Sequence, residues 1–253
     1  MTDKSIDHIV LTVRDLRGMT AFYRDALGLT PLGGDTGTER LGAGDRTLLE
    51  LRHDPAARPR DPRQAGLFHT AFLLPDRAAL ARWLRHAGDS GIRLTGASDH
   101  GVSEAIYLDD PEGNGIEIYR DRPASEWTRS GDRIEMFTHR LDLNDLLSSA
   151  DAPWSGAPEG STVGHVHLQV GDLDQAHGFF ANDLGLTRTF DGPGGAWYGW
   201  NGYHHHLAGN TWNSQGAGSH DAGMAGLAEV VIRDAGRAGK TVADPWGTRF
   251  RFV

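Results

Sequence analysis

The 253-residue chain contains no cysteine. Disulfides, thiolate metal sites and cysteine nucleophiles are therefore excluded. No apolar run approaches the roughly 20 residues that a membrane span needs, and the opening "MTDKSIDH" holds no apolar signal region. An excess of positive charge is also missing: the formal net charge is −9, which argues against a nucleic acid or an anionic membrane as the main partner. These absences leave a cytoplasmic globular protein, long enough for one large domain or two ordinary ones. What the chain has in plenty is histidine, 13 residues, with three in a row at His204, His205 and His206.

The sequence repeats itself. "IDHIVLTV" (6–13), "FHTAFLLP" (68–75) and "GHVHLQV" (164–170) each place a histidine in an alternating, strand-like run, and "GLAEVVIRD" (226–234) carries Glu229 at that place. A helix opening on aspartate follows the first, "DLRGMTAFYRDALGL", capped by Asp15 and ended by Gly28. "GDLDQAHGFFANDLGL" matches it almost position for position. Further strands complete each unit, and a Pro-Glu-Gly-Asn turn joins "SEAIYLDD" to "GIEIYR". The reading is an α+β chain of four βαβββ modules. The fourth is truncated: 28 residues remain from Gly226 onward, against 52 from Gly66 to Glu117 in the second, and Arg251 stands where Glu117 stands. A helix and at least one strand are expected to be shortened or missing there. Residues 121–160 carry Trp127, Trp154 and a short helical stretch, which predicts a packed strap rather than a solvated linker.

Modules that begin "HIVLTVRDL" and close "DPEGNGIEIY" resemble the vicinal oxygen chelate superfamily, which includes glyoxalases, bleomycin-resistance proteins and extradiol dioxygenases. The resemblance spans nearly the whole chain. It implies paired, curved mixed sheets whose first and last strands aim ligands into a concavity. It suggests a first domain at 1–120 (modules one and two), a connecting strap at 121–160, and a second domain at 161–253. In a strand alternate side chains share a face, so a lone histidine or glutamate among aliphatics points either to the core or to a cavity. A glutamate buried without a partner is expensive, and "GIEIY" therefore hints at a cation. The aligned positions are His8 and Glu50, His69 and Glu117, His165 with the 204–206 run, and Glu229 with Arg251. Taken alone, His8 reads equally as a core histidine, and Glu50 reads as a solvated edge-strand residue. His165 competes with His167 on the same face, and the module alignment selects His165.

"DHGVSEAIYLDDPEGNGIEIY" is most similar to the last module of extradiol catechol dioxygenases, in two-domain catechol-2,3-dioxygenase-like proteins. That resemblance implies metal ligands His69, Glu117 and His165, a catalytic histidine at His205 or His206, and substrate-oxygen contacts from His100 and Tyr107. Two histidines and one carboxylate with open positions suit Fe(II), and Mn(II) is compatible. The implied function is Fe(II)-dependent extradiol cleavage of a catechol-type aromatic by O2, in a monomer or homodimer. An alternative pairing joins modules one and two. It gives His8, Glu50, His69 and Glu117, the four-ligand set of a glyoxalase-I-like lyase or isomerase using Ni(II) or Zn(II). A third reading is a non-catalytic protein that sequesters a small aromatic.

Overall fold

The repeats anticipated above fold as successive β-α-β units. The structure, a computed structural model, describes residues 4–221 and 223–253; the first residues of the opening segment lie outside them. Strand β1 (Ser5–Val13) buries Ile6, Ile9, Leu11 and Val13. The Asp15 carboxylate accepts the Gly18 N–H and caps α1 (Leu16–Leu27), which stops where Gly28 takes a left-handed φ of 69°. Strands β2 (Thr30–Asp35), β3 (Thr38–Ala43) and β4 (Arg46–His53) complete the first module. The second runs β5 (Gly66–Leu73), α2 (Arg77–Asp89), β6 (Gly96–Asp99), β7 (Ser103–Asp109) and β8 (Gly115–Asp121).

The strap is packed, as its tryptophans suggest. It forms a small hairpin, β9 (Arg129–Ser130) with β10 (Arg133–Ile134), then β11 (His139–Arg140) paired to β6, and α3 (Leu143–Ser148) against α2. Trp127 joins Val102 and Ile134 in a local apolar cluster. The third module comprises β12 (Thr162–Gln169), α4 (Leu173–Gly178) continued by a π-helical turn over Phe179–Asp183, β13 (Thr187–Gly192), β14 (Gly195–Gly199) and β15 (Leu207–Asn210). The fourth keeps β16 (Gly226–Arg233), a single 3-10 turn at Ala235–Arg237 in place of the helix, β17 (Thr241–Ala243) and β18 (Arg249–Phe252).

These strands make two large mixed sheets. One has the order β17-β18-β16-β1-β4-β3-β2, the other β11-β6-β7-β8-β5-β12-β15-β14-β13. The modules therefore pair in a nested way. β1 runs antiparallel to β16, joining the first module to the fourth, and β5 runs antiparallel to β12, joining the second to the third. A division of the chain into 1–120, 121–160 and 161–253 follows the sequence, but the sheets cross it. Modules one and two, adjacent in the chain, share no sheet, because the open edges of β1 and β5 are each occupied by a strand from beyond the strap. A single apolar cluster spans both sheets, from Ile6 and Leu49 through Phe72 and Trp83 to Val166 and Phe250. No helix among the described residues is long and apolar enough to cross a membrane.

Two buried polar contacts bind the first module to the second. The Tyr23 hydroxyl donates to Asp110 at 2.9 Å, and Asp110 also accepts the Glu112 and Asn114 N–H groups, which fixes the turn leading into β8. The Trp83 indole, fully buried, donates to the Ala26 carbonyl at 2.9 Å and so ties α2 to the end of α1. Trp83→Ala opens a large cavity and orphans that carbonyl, so a loss of about 3–5 kcal/mol is expected. Urea unfolding of the purified variant measures it; a loss below about 1 kcal/mol would contradict this account of the core.

Candidate metal centre and substrate cavity

Three adjacent strands build the centre. β5 lies between β8, which runs parallel to it, and β12, which runs antiparallel. His69 projects from β5, Glu117 from β8 and His165 from β12, all buried, with one donor atom of each lying within 4.8 Å of the others. The registers explain the convergence: Ala71, two residues after His69 on the same face, pairs with both Glu117 and His165. Small neighbours make room. A Cβ at Gly115 would meet the Phe68 carbonyl at 2.2 Å and the His69 Cβ at 3.1 Å, and one at Gly164 would strike the Tyr119 hydroxyl.

The electrostatics favour a cation. Glu117 is 2% exposed. Burial alone would raise its pKa, but the imidazoles of His165 and His69 more than offset this and hold it well below the usual carboxylate range. Burial in turn pushes His165 below the ordinary imidazole value. The group is thus a buried carboxylate with one nitrogen of each of two imidazoles close to the same oxygen. His69 Nε2 lies 3.0 Å from Glu117 Oε2, yet off the hydrogen-bond line, and this buried nitrogen has no hydrogen-bond partner among the described residues. His165 Nε2 is 3.2 Å from the same oxygen. An orphaned buried nitrogen aimed at a desolvated carboxylate is costly in the bare protein and is what a divalent ion would satisfy. The donor set fits Fe(II) or Mn(II), leaving coordination positions open.

The centre opens onto a cavity of about 620 Å³. Phe68, Phe190, Trp197 and Trp212 line it, together with Met136 and Phe137 of the strap. Tyr107 lies directly opposite Glu117 across the β7–β8 ladder. Burial and the nearby Glu117 carboxylate keep its phenol protonated far above its ordinary range. His100 Nε2 is 2.8 Å from the Tyr107 hydroxyl, and His100 Nδ1 is 2.8 Å from the Phe137 carbonyl. Because a carbonyl only accepts, Nδ1 carries the proton of the neutral ring and Nε2 receives the Tyr107 hydroxyl hydrogen.

Of the consecutive histidines, His205 lines the cavity, with its ring centroid 4.1 Å from that of His165. Burial and the surrounding imidazoles depress its pKa strongly. His206 turns the other way: its Nδ1 accepts the Trp200 backbone N–H at 3.2 Å, and it takes no part in the cavity wall. Burial lowers its pKa to about 3. His8 and Glu50 stand in the other sheet. His8 pairs with Asp7 at 2.7 Å and Glu50 with Arg52 at 2.8 Å, so neither joins His69 and Glu117. The position equivalent to His165 is Glu229, which holds ion pairs with Arg52 and Arg251.

Three further residues contribute: His167, which the module alignment sets aside in favour of His165, His204 of the histidine run, and Asp121, which the sequence reading does not single out. His167 lines the cavity beside His69, its cross-strand partner, and accepts from Asn210 at 3.0 Å; its spacing of two from His165 was the available signal. Asp121 and His204 lie behind His205, and no periodicity marked them.

The chain belongs to the Glyoxalase/Bleomycin resistance protein/Dioxygenase superfamily, whose profile matches residues 5–118. It is 37% identical over 231 residues to a catechol-2,3-dioxygenase of Bacillus subtilis (strain 168), covering 89% of this chain and 81% of that protein. It is also 31% identical to biphenyl-2,3-diol 1,2-dioxygenase 3 of Rhodococcus globerulus, over 60% of this chain and 83% of the other. In fold it is similar to glyoxalase I from Zea mays, with a TM-score of 0.60 at 18% identity, covering 99% of this chain and 92% of that one.

Protein loaded anaerobically with Fe(II) or Mn(II) and then desalted is expected to retain one equivalent, and Glu117→Gln and His69→Ala are expected to fall to background by elemental analysis. Stoichiometric metal in both variants would disprove the assignment. His206 yields a separate expectation. Its folded-state pKa of about 3 lies below the unfolded value of 6.5, so the unfolded chain binds more protons between those pH values. Stability should therefore fall on acidification below about 6.5, with His206 contributing up to about 1.4 kcal/mol per pH unit. His206→Phe should show a shallower acid slope in urea midpoints measured from pH 7.5 to 5; an unchanged slope would refute it.

Proposed function

We propose that the protein is an extradiol ring-cleaving dioxygenase acting on a catechol-type aromatic with O2, and that His69, Glu117 and His165 hold an Fe(II) ion. One observation carries this reading. A two-histidine, one-carboxylate set with open positions faces an aromatic-walled cavity in which His205, His100 and Tyr107 surround the same point. The relatives named as catechol and biphenyl-diol dioxygenases support it. When bound, the ion supplies an electron-rich centre at which a catecholate and O2 can react.

The chain's own groups supply the rest. The aromatic walls admit a flat ring and displace water from it. His205, kept neutral by burial, is placed to take a catechol hydroxyl proton at Nε2 and later return it. Tyr107 stays a phenol and, with His100, offers a hydroxyl–imidazole pair to the second substrate oxygen and to the charge that develops during cleavage. The four-ligand set of a glyoxalase-type lyase would need His8 and Glu50, which stand in the other sheet, so the geometry favours the dioxygenase reading.

Anaerobic loading with Fe(II), then addition of catechols and air, should consume O2 and form the yellow ring-fission product. His205→Ala should lower kcat by roughly 10²–10⁴-fold with metal content unchanged. No O2 uptake across a broad catechol panel would sink the reading.

A further inference from the structure

Behind His205 runs a chain of polar contacts that the proposed reaction does not use. His204 Nδ1 and His205 Nδ1 are 2.7 Å apart, and His204 Nε2 is 2.8 Å from Asp121 Oδ1. The other Asp121 oxygen accepts the Tyr203 hydroxyl at 2.8 Å. His204 has no solvent exposure, and its ring is held between Tyr203, at 4.1 Å, and Trp127, at 5.1 Å. Asp121, at the end of β8, is about one-fifth exposed and so connects this buried pair to the surface.

Two nitrogens facing each other at hydrogen-bond distance share one proton, and the question is which ring owns it. Asp121 decides. A carboxylate only accepts, so His204 must present its N–H at Nε2. A neutral His204 then has a bare Nδ1, which can only accept. His205 must therefore donate from Nδ1, and its remaining nitrogen, Nε2, is left with a free lone pair. The hydrogen bond of the His205 ring among the described residues is the one at Nδ1, and His205 lines the cavity.

We infer that Asp121 and His204 are positioning residues that lock His205 in its Nδ1–H tautomer and so keep a base at Nε2 facing the substrate. The assignment of the proton-accepting role rests on the proposed function; the tautomer does not.

The test separates the two. Long-range ¹H–¹⁵N spectra of full-length, metal-free protein labelled in histidine, with His205 identified by its loss in His205→Asn, read which ring nitrogen is protonated without any turnover. The wild type is expected to show His205 as the Nδ1–H form. Asp121→Ala and His204→Phe should each shift it toward the Nε2–H form. Tyr203→Phe, which removes the other contact to Asp121 but leaves His204 in place, should not. In Fe(II)-loaded protein the first two variants should lose on the order of 10²-fold or more in kcat, with KM for catechol within about threefold. An Nε2–H His205 in the wild type would overturn the inference, as would an unchanged tautomer in both variants. If no catechol is turned over, the functional reading fails while the spectra still decide the tautomer.

Discussion

A carboxylate removed from water governs this molecule. Glu117 sits on the middle of a strand where every neighbour is apolar, aromatic or imidazole, and its desolvation must be compensated from within. Much of the surrounding sequence follows. The second module must meet the third so that imidazoles arrive from two further strands. Glycines are needed at 115 and 164, where backbone and hydroxyl groups come too close for a Cβ. The Asp110 turn must place β8 in register, and a phenol rather than a phenolate must lie opposite. Even the strap takes part, since the Phe137 carbonyl sets the tautomer of His100, and His100 in turn holds Tyr107.

Sequence pattern marked the individual candidate ligands and left their partnership undecided. His69, Glu117 and His165 each break a period-two run of aliphatics, and that alternation survives folding because a strand's two faces are fixed by covalent geometry. The shortened fourth module could also be read, and a one-turn 3-10 helix is what remains of its helix. Which modules share a sheet could not be read in the same way. Both pairings satisfy the local pattern, and the choice is made by strand edges far apart in the sequence. The partnership of His204 with Asp121 was hidden for a different reason. His204 sits in a turn, where no periodicity applies, and Asp121 follows Tyr119 and Arg120 at the end of β8, where an aspartate ordinarily signals only that a strand is finishing.

The consecutive histidines show how little residue identity alone determines. Three identical side chains in a row face three environments. One is buried against a carboxylate, one opens to the cavity, and one accepts a backbone N–H inside the core. Burial depresses the basicity of the last two, but only one of them can meet a substrate.

The ion pairs of the seven-stranded sheet deserve comparison with the centre in the other. Val10 pairs with Glu50 and with Glu229 just as Ala71 pairs with Glu117 and His165, so the two clusters are counterparts. One half of the fold sets its buried carboxylate among imidazoles, whereas the other balances two carboxylates with the guanidinium groups of Arg52 and Arg251. The duplicated architecture thus divides into a half whose charges are balanced by side chains of the chain itself and a half shaped to receive a cation. Chelation would bear on only one of the two sheets, and the other would keep its internal charge balance throughout.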